Sequence, residues 1–208
     1  MPATAEAPRV LVVSACSKRK AKGNCALDLV GDTLPARELY TGRAHVRIRK
    51  AIDRWRASDA REAVVWSIMS AGCGLVGEHS ELQAYEATFN RLGSGSASQL
   101  GRDLGIPRAL QEQLADFHVA LFVLPLVYLH AAGAPFHRPR TQLYFTSPAF
   151  GSRHQSAPIV PCGLTQAREL HVTSREVGAA RFSAFVDEVI LDGLSTALRA
   201  WGSAGEVT

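Results

Sequence analysis

Residues 9–20 read RVLVVSACSKRK, and the fold follows from this stretch. From Arg9 to Ala15 the run is almost unbroken in aliphatic and β-branched side chains, too apolar for a strand with one wet face. It predicts a strand buried on both faces, as parallel sheets use. Hydroxyls, a thiol and three cations follow at once, from Ser14 to Lys20. In parallel α/β sheets, ligands bind beyond the carboxyl ends of the strands. The same residues therefore predict a central strand and the edge of a site.

Working outward, a helix is expected from Pro35 onward, with Pro35 in its first turn and Ala44, Ile48, Ile52 and Trp55 as the buried stripe. Residues Cys16 to Leu34 read as a long polar loop. Ala63–Ala71 (AVVWSIMSA) is a second buried strand and ends in the turn Gly72-Cys73-Gly74. Two such strands joined by a helix predict a right-handed βαβ unit. Glu78–Asn90 reads as an irregular loop. Pro107–Ala115 is expected to be helical, with Ser98 as a candidate cap for a short helix before it. His118–Leu124 predicts a third strand, Thr141–Thr146 a fourth, Ala157–Cys162 a short fifth, and Val177–Trp201 a long amphipathic helix. The expected fold is an α/β three-layer sandwich with a mainly parallel central sheet. The chain reads as one domain over residues 1–208, fraying at about 1–8 and 202–208.

Composition narrows the function. The chain has 208 residues, 47% hydrophobic and 20% charged, which suits one ordinary core and excludes a disordered tail protein. No apolar run approaches the roughly 20 residues of a membrane span, and the start lacks a basic-then-apolar leader. A cytoplasmic protein without a membrane partner is expected. Cys16, Cys25, Cys73 and Cys162 show no zinc-type spacing, so no metal or other cofactor is expected and free thiols are. The net charge is +4, but Lys18 to Arg56 holds eleven Lys/Arg against four Asp/Glu. That concentration points to a phosphate-bearing partner, with a solvated basic helix as the plainer reading.

Three strand ends qualify as site walls: Ser14–Lys20, Ser70–Leu75 and Leu124–Tyr128. The first offers Ser14, Cys16, Ser17, Lys18, Arg19 and Lys20, a mixture able to cradle a phosphate or a base edge. The GxxxxGK[ST] pattern of a P-loop is absent.

Taken in order, SACSKRK (14–20), PARELYTG (35–42) and SAGCGLVGEHSELQAYEATFN (70–90) resemble the YaaA-like superfamily. That group holds the YaaA peroxide-stress proteins, small relatives and a domain of archaeosine synthase. The matching residues are Ser14 to Lys20, Leu39 to Gly42, Ser70 to Leu75, Glu78 and Tyr85. Here Glu78 and Glu86 stand where relatives often carry Asp, and Ala84 where a Pro commonly precedes the Tyr. The Lys-Pro-Tyr element tied to amidine transfer is not reproduced. The superfamily fold is distantly similar to that of uracil-DNA glycosylases.

The resemblance implies chemistry on an N-glycosidic bond in DNA, whose oxocarbenium-like transition state needs a carboxylate at the sugar and a donor and aromatic at the base. Glu78, Glu86 and His79 are then the catalytic candidates. Ser14, Cys16, Ser17, Lys18, Tyr40, Thr41, Gly72, Gly74 and Tyr85 are the substrate-binding candidates. Arg19, Lys20, Arg43, Ser147, Arg153 and His154 are the nucleic-acid contacts, the last three in the loop 146–154. The expected activity is that of a DNA glycosylase on a modified or foreign base. The alternatives are a non-enzymatic DNA-binding stress protein and an N-ribosyl hydrolase or transferase of free nucleotides. Plainer readings stand beside these: solvated loop acids, a packing tyrosine and a capping threonine.

Overall fold

The computed structural model describes residues 7–21, 33–60, 62–139, 141–154 and 157–202. Its first strand, β1 (Arg9–Ala15), is buried on both faces, with Val10, Leu11, Val12 and Val13 fully inaccessible. A strand this apolar must have sheet neighbours on both edges and helices on both faces. Its neighbours are β3 (Ala63–Ser70) and β6 (Val119–Val123), both parallel to it. Beyond β6 lie β7 (Thr141–Thr146) and β8 (Ile159–Pro161), also parallel. Only β4 (Gly74–Gly77) runs antiparallel, turning back along β3. The strand order is β4-β3-β1-β6-β7-β8. A separate small ribbon pairs β2 (Leu34–Pro35) with β5 (Glu81–Leu82).

Helices cover both faces. On one, α2 (Arg43–Ala57) packs along α8 (Val177–Asp192), and α8 also touches β6 and β7. On the other, α3 (Ser94–Asp103), α4 (Ile106–Leu114) and α5 (Leu126–Ala132) pack on one another. The expected three-layer α/β sandwich is what the chain forms. Among the described residues no helix is long and apolar enough to cross a membrane.

Four expectations need correction. The helix after Pro35 is two pieces, α1 (Ala36–Leu39) and α2, because Tyr40 leaves the helix to bridge Lys20. His45, not Ala44, begins the buried stripe of α2. The long C-terminal helix breaks at Gly193, whose φ of 82° lies in a region open to glycine, and α9 (Leu194–Gly202) folds back against α8. Ser98 does not cap a helix. It sits inside α3, where its hydroxyl donates to the His130 carbonyl. The expected loop over 16–34 falls in large part outside the described residues, as do Cys25 and most of the expected frayed ends.

A cationic cleft at the sheet switch point

β1 continues through α2 to β3 on one side of the sheet, while β6 continues through α5 to β7 on the other. The crevice between the ends of β1 and β6 is therefore the topological switch point, where ligands bind in open α/β sheets. A cavity of about 720 Å³ opens there, on the scale of small-molecule sites.

Local bonding explains its first wall. Past β1, the Cys16 amide donates to the Met69 carbonyl (2.9 Å), so the chain follows β3 one residue further. Ser17 then accepts from the Gly42 amide (3.1 Å), strapping the loop to the start of α2. A Cβ on Gly42 would lie 2.7 Å from Ser17 Cβ, so the glycine is required for this close approach. The Thr41 amide donates to the Arg19 carbonyl and Ala21 to Leu39, which completes the strap. Lys18, Arg19 and Arg43 are thereby held, exposed, on the cavity rim.

The deeper wall is mixed in polarity. Cys16 Sγ meets the Tyr128 hydroxyl at 3.3 Å. Burial, then the neighbouring Cys16, raises the Tyr128 phenol above its ordinary range. Thr146 and Cys162 lie beside Phe145 at the ends of β7 and β8. Burial pushes the Cys162 thiol up to about 12, so it stays protonated. Opposite them, residues 173–179 bring Arg175, Glu176 and the first turn of α8 to the cavity.

Glu176 is the carboxylate of this cleft. Oε2 accepts from the Thr173 amide (3.2 Å) and hydroxyl (2.8 Å), and Oε1 stands 3.8 Å from Arg43 Nε. The Thr173 hydroxyl, then its amide and the Arg43 and Arg47 charges, outweigh burial and hold the carboxyl below its usual range. Among the charged lining residues, Glu176 faces four cations: Lys18, Arg19, Arg43 and Arg175.

The sequence-derived candidates divide between this cleft and other places. Cys16, Ser17, Lys18, Arg19, Arg43 and Ser147 line the cavity. The tips after Val13 and Met69 do lie side by side. The tyrosines beside them, however, form a closed knot behind the cleft. The Tyr85 hydroxyl bonds Tyr40 (2.7 Å) and Ser70 (2.6 Å), and Lys20 Nζ sits 4.2 Å from the Tyr85 ring centre. A Cβ on Gly72 would lie 2.6 Å from that ring. Tyr40 is fully buried, and burial raises its phenol to about 12. Tyr40 is inaccessible, and Tyr85 is half-buried, with Lys20 over its ring and Gly72 against it. Lys20 is spent on the ring, Ser14 on the Trp66 indole (2.9 Å), and Gly74 on the turn into β4 at φ 78°. Thr41 contributes its amide to the strap.

The expected catalytic set is not assembled. Glu78 is 5% exposed and lies outside the cleft. Its oxygens accept from Arg37 Nη1 (3.0 Å) and twice from the Arg56 guanidinium, three bonds that tie both oxygens to arginines away from the cavity. Glu78 is a structural clamp between α1, α2 and the end of β4. His79 is exposed, with its Nε2 3.8 Å from Glu78 Oε2. Glu86 is exposed and also outside the cavity. Arg153 and His154 follow α6 (Pro148–Gly151), with His154 packed on Phe150, and do not line the cleft. The basic segment is likewise partly paired within the chain: Arg54 meets Asp187 at the surface (2.7 Å), and Arg49 and Arg56 donate to backbone carbonyls.

The cleft adds residues the sequence did not single out: Asn90, Arg175, Glu176 and His45, and it brings in Thr146 from the first position of the expected loop 146–154. Thr173-Ser174-Arg175-Glu176 before an apolar run has capping-box spacing in the sequence, and in the structure it closes a turn ahead of α8, whose N-cap is Glu176. Nothing local signalled the others, because only chain crossings bring them to β1. No protein-family model matches this chain, and no curated protein matches it.

Proposed function

We propose that the chain hydrolyses the N-glycosidic bond of a nucleotide unit, with a modified base in DNA as the leading substrate. The observation that carries this reading is one carboxylate, Glu176, set among four rim cations in a cleft large enough to admit a nucleotide. In such a reaction the C1′–N bond breaks and its electron pair leaves with the base. Water adds at C1′, and its proton ends on the departing base. The positive sugar needs an ionised carboxylate, and the Thr173 bonds keep Glu176 in that form. Glu176 steadies C1′ and takes up the proton of the attacking water, which then passes to the departing base and leaves the carboxylate ionised. The exposed amide of Asn90 at the mouth offers a donor and an acceptor to a base edge. Lys18, Arg19, Arg43 and Arg175 take the flanking phosphates, which they reach because they are exposed. The resemblance of residues 9–90 to the YaaA-like superfamily supports the same class.

Mass spectrometry of bases freed from several natural and phage DNAs tests this. The wild type is expected to release a base, and Glu176→Gln to lose about 10²–10⁴-fold of the rate, the usual worth of a positioned acid–base group. Glu78→Gln is expected to release base at the wild-type rate per folded molecule. Absence of any freed base from DNA overturns the DNA reading. Turnover of free nucleotides in its place moves the site to the nucleotide N-ribosyl hydrolases.

A further inference from the structure

The amino ends of α2 and α8 both open on the cleft. The first turn of α2, Arg43 to His45, lines it from one side and that of α8, Gly178 and Ala179, from the other. Neither helix has a side-chain cap or an acidic residue in its first turn. The first amides of a helix have no partner inside it, and the helix dipole adds partial positive charge there. Two such ends facing one cavity, ringed by Lys18, Arg43 and Arg175, favour an anion. A third observation is independent of the helices. Thr146, at the end of β7, is 2% exposed and lines the same cavity, and its hydroxyl finds no partner among the described residues. Buried hydroxyls are rarely left so, and a ligand oxygen would satisfy this one.

We infer that the cleft contains a phosphate subsite between the amino ends of α2 and α8, which seats one phosphate of a nucleotide unit. The inference deepens the reading above, since it names the part of the substrate that is gripped. Glu176 does not cancel the seat, because Lys18, Arg19, Arg43 and Arg175 on the same cavity outnumber its single charge. A seat beside Glu176 also sets the sugar next to the carboxylate, as a phosphate and its own ribose are covalent neighbours.

The test is calorimetric titration of the full chain, independent of any base release. The ligands are inorganic phosphate, a nucleoside, its 5′-monophosphate and a short single-stranded oligonucleotide. The monophosphate is expected to bind at least tenfold tighter than the nucleoside, and inorganic phosphate to compete with it. A stronger hold on the monophosphate than on the oligonucleotide assigns the seat to a terminal phosphate, and the reverse to a chain diester. Arg43→Gln removes a charge from an exposed position, and Arg43→Pro removes the amide as well. Proline suits this first helical position because Gly42 before it is extended (ψ 144°). Each is expected to lower monophosphate affinity, Pro about tenfold more than Gln, with nucleoside affinity unchanged. Equal affinity for nucleoside and monophosphate overturns the inference, as does a phosphate preference that both variants leave intact. Failure of base release with the phosphate preference present would sink the glycosidic reading and spare the subsite.

Discussion

His45 sits at the start of a cationic helix and yet is neutral. It is 1% exposed, tilted against the Trp66 ring at 4.9 Å and edge-on to Tyr40 at 5.4 Å. Its Nε2 donates to the Arg37 carbonyl at 3.1 Å. Burial first, then the charges of Arg49 and Arg37, lower its pKa to about 4. The unfolded chain takes up a proton near 6.5 and the folded chain does not, so the unfolded state gains as pH falls. Stability is full above about 6.5 and is lost progressively down to about 4, by up to about 3 kcal/mol at 1.36 per pKa unit. Denaturant unfolding at pH 7.5 and pH 5 measures this. The wild type should lose stability over that interval, and His45→Gln should lose distinctly less. An equal loss in both would contradict the assignment.

At the scale of elements, α3 carries two glycines with opposite duties. A Cβ on Gly101 would lie 2.0 Å from the Ala131 carbonyl oxygen, so the α3–α5 contact is backbone against backbone. Gly95 has nothing within 4 Å. Gly101→Ala must push α5 away and should cost about 1–3 kcal/mol or more, as overpacking does. Gly95→Ala relieves glycine's entropy cost in a helix and should gain about 0.5–1 kcal/mol. Thermal unfolding should move in opposite directions for the two. Both duties were invisible in SASQLGRD and its neighbours, where neither glycine announces a contact. The end of β1 is a different case. Its hydroxyl–thiol–lysine run marked a site wall from the sequence, and the cavity meets that run at Cys16 to Arg19.

For the whole molecule, the distribution of charge matters more than its sum of +4. Arg37, Arg54 and Arg56 are paired with carboxylates of the chain, Arg54 at the surface with Asp187, and Arg49 donates to a backbone carbonyl, so they add less to an external field than unpaired cations would. The exposed cations of the cleft rim remain. If these four meet DNA phosphates, binding should fall about a hundredfold between 50 and 200 mM salt, since each neutralised phosphate contributes about −0.9 to the log–log slope. Arg175→Gln should reduce the slope by about one, and Arg54→Gln should leave it unchanged. Fluorescence anisotropy of a labelled duplex across a salt series distinguishes these outcomes.

The amino-acid order alone determined the sheet. Runs such as RVLVVSA and AVVWSIMSA are apolar on both alternating faces, and only a covered parallel strand satisfies them. It also determined that the end of β1 would be polar and cationic. Which acid serves that end was a tertiary matter. Glu78 and Glu86 are nearer in sequence to the motifs, yet Glu78 is consumed by Arg37 and Arg56, and Glu86 lies outside the cavity. Glu176, about 160 residues beyond Cys16, reaches the cleft because α8 packs along α2 on the same face of the sheet. Sequence periodicity reports which side of an element is buried. It carries no information on which distant element will cover that side, and the cleft is built from such coverings.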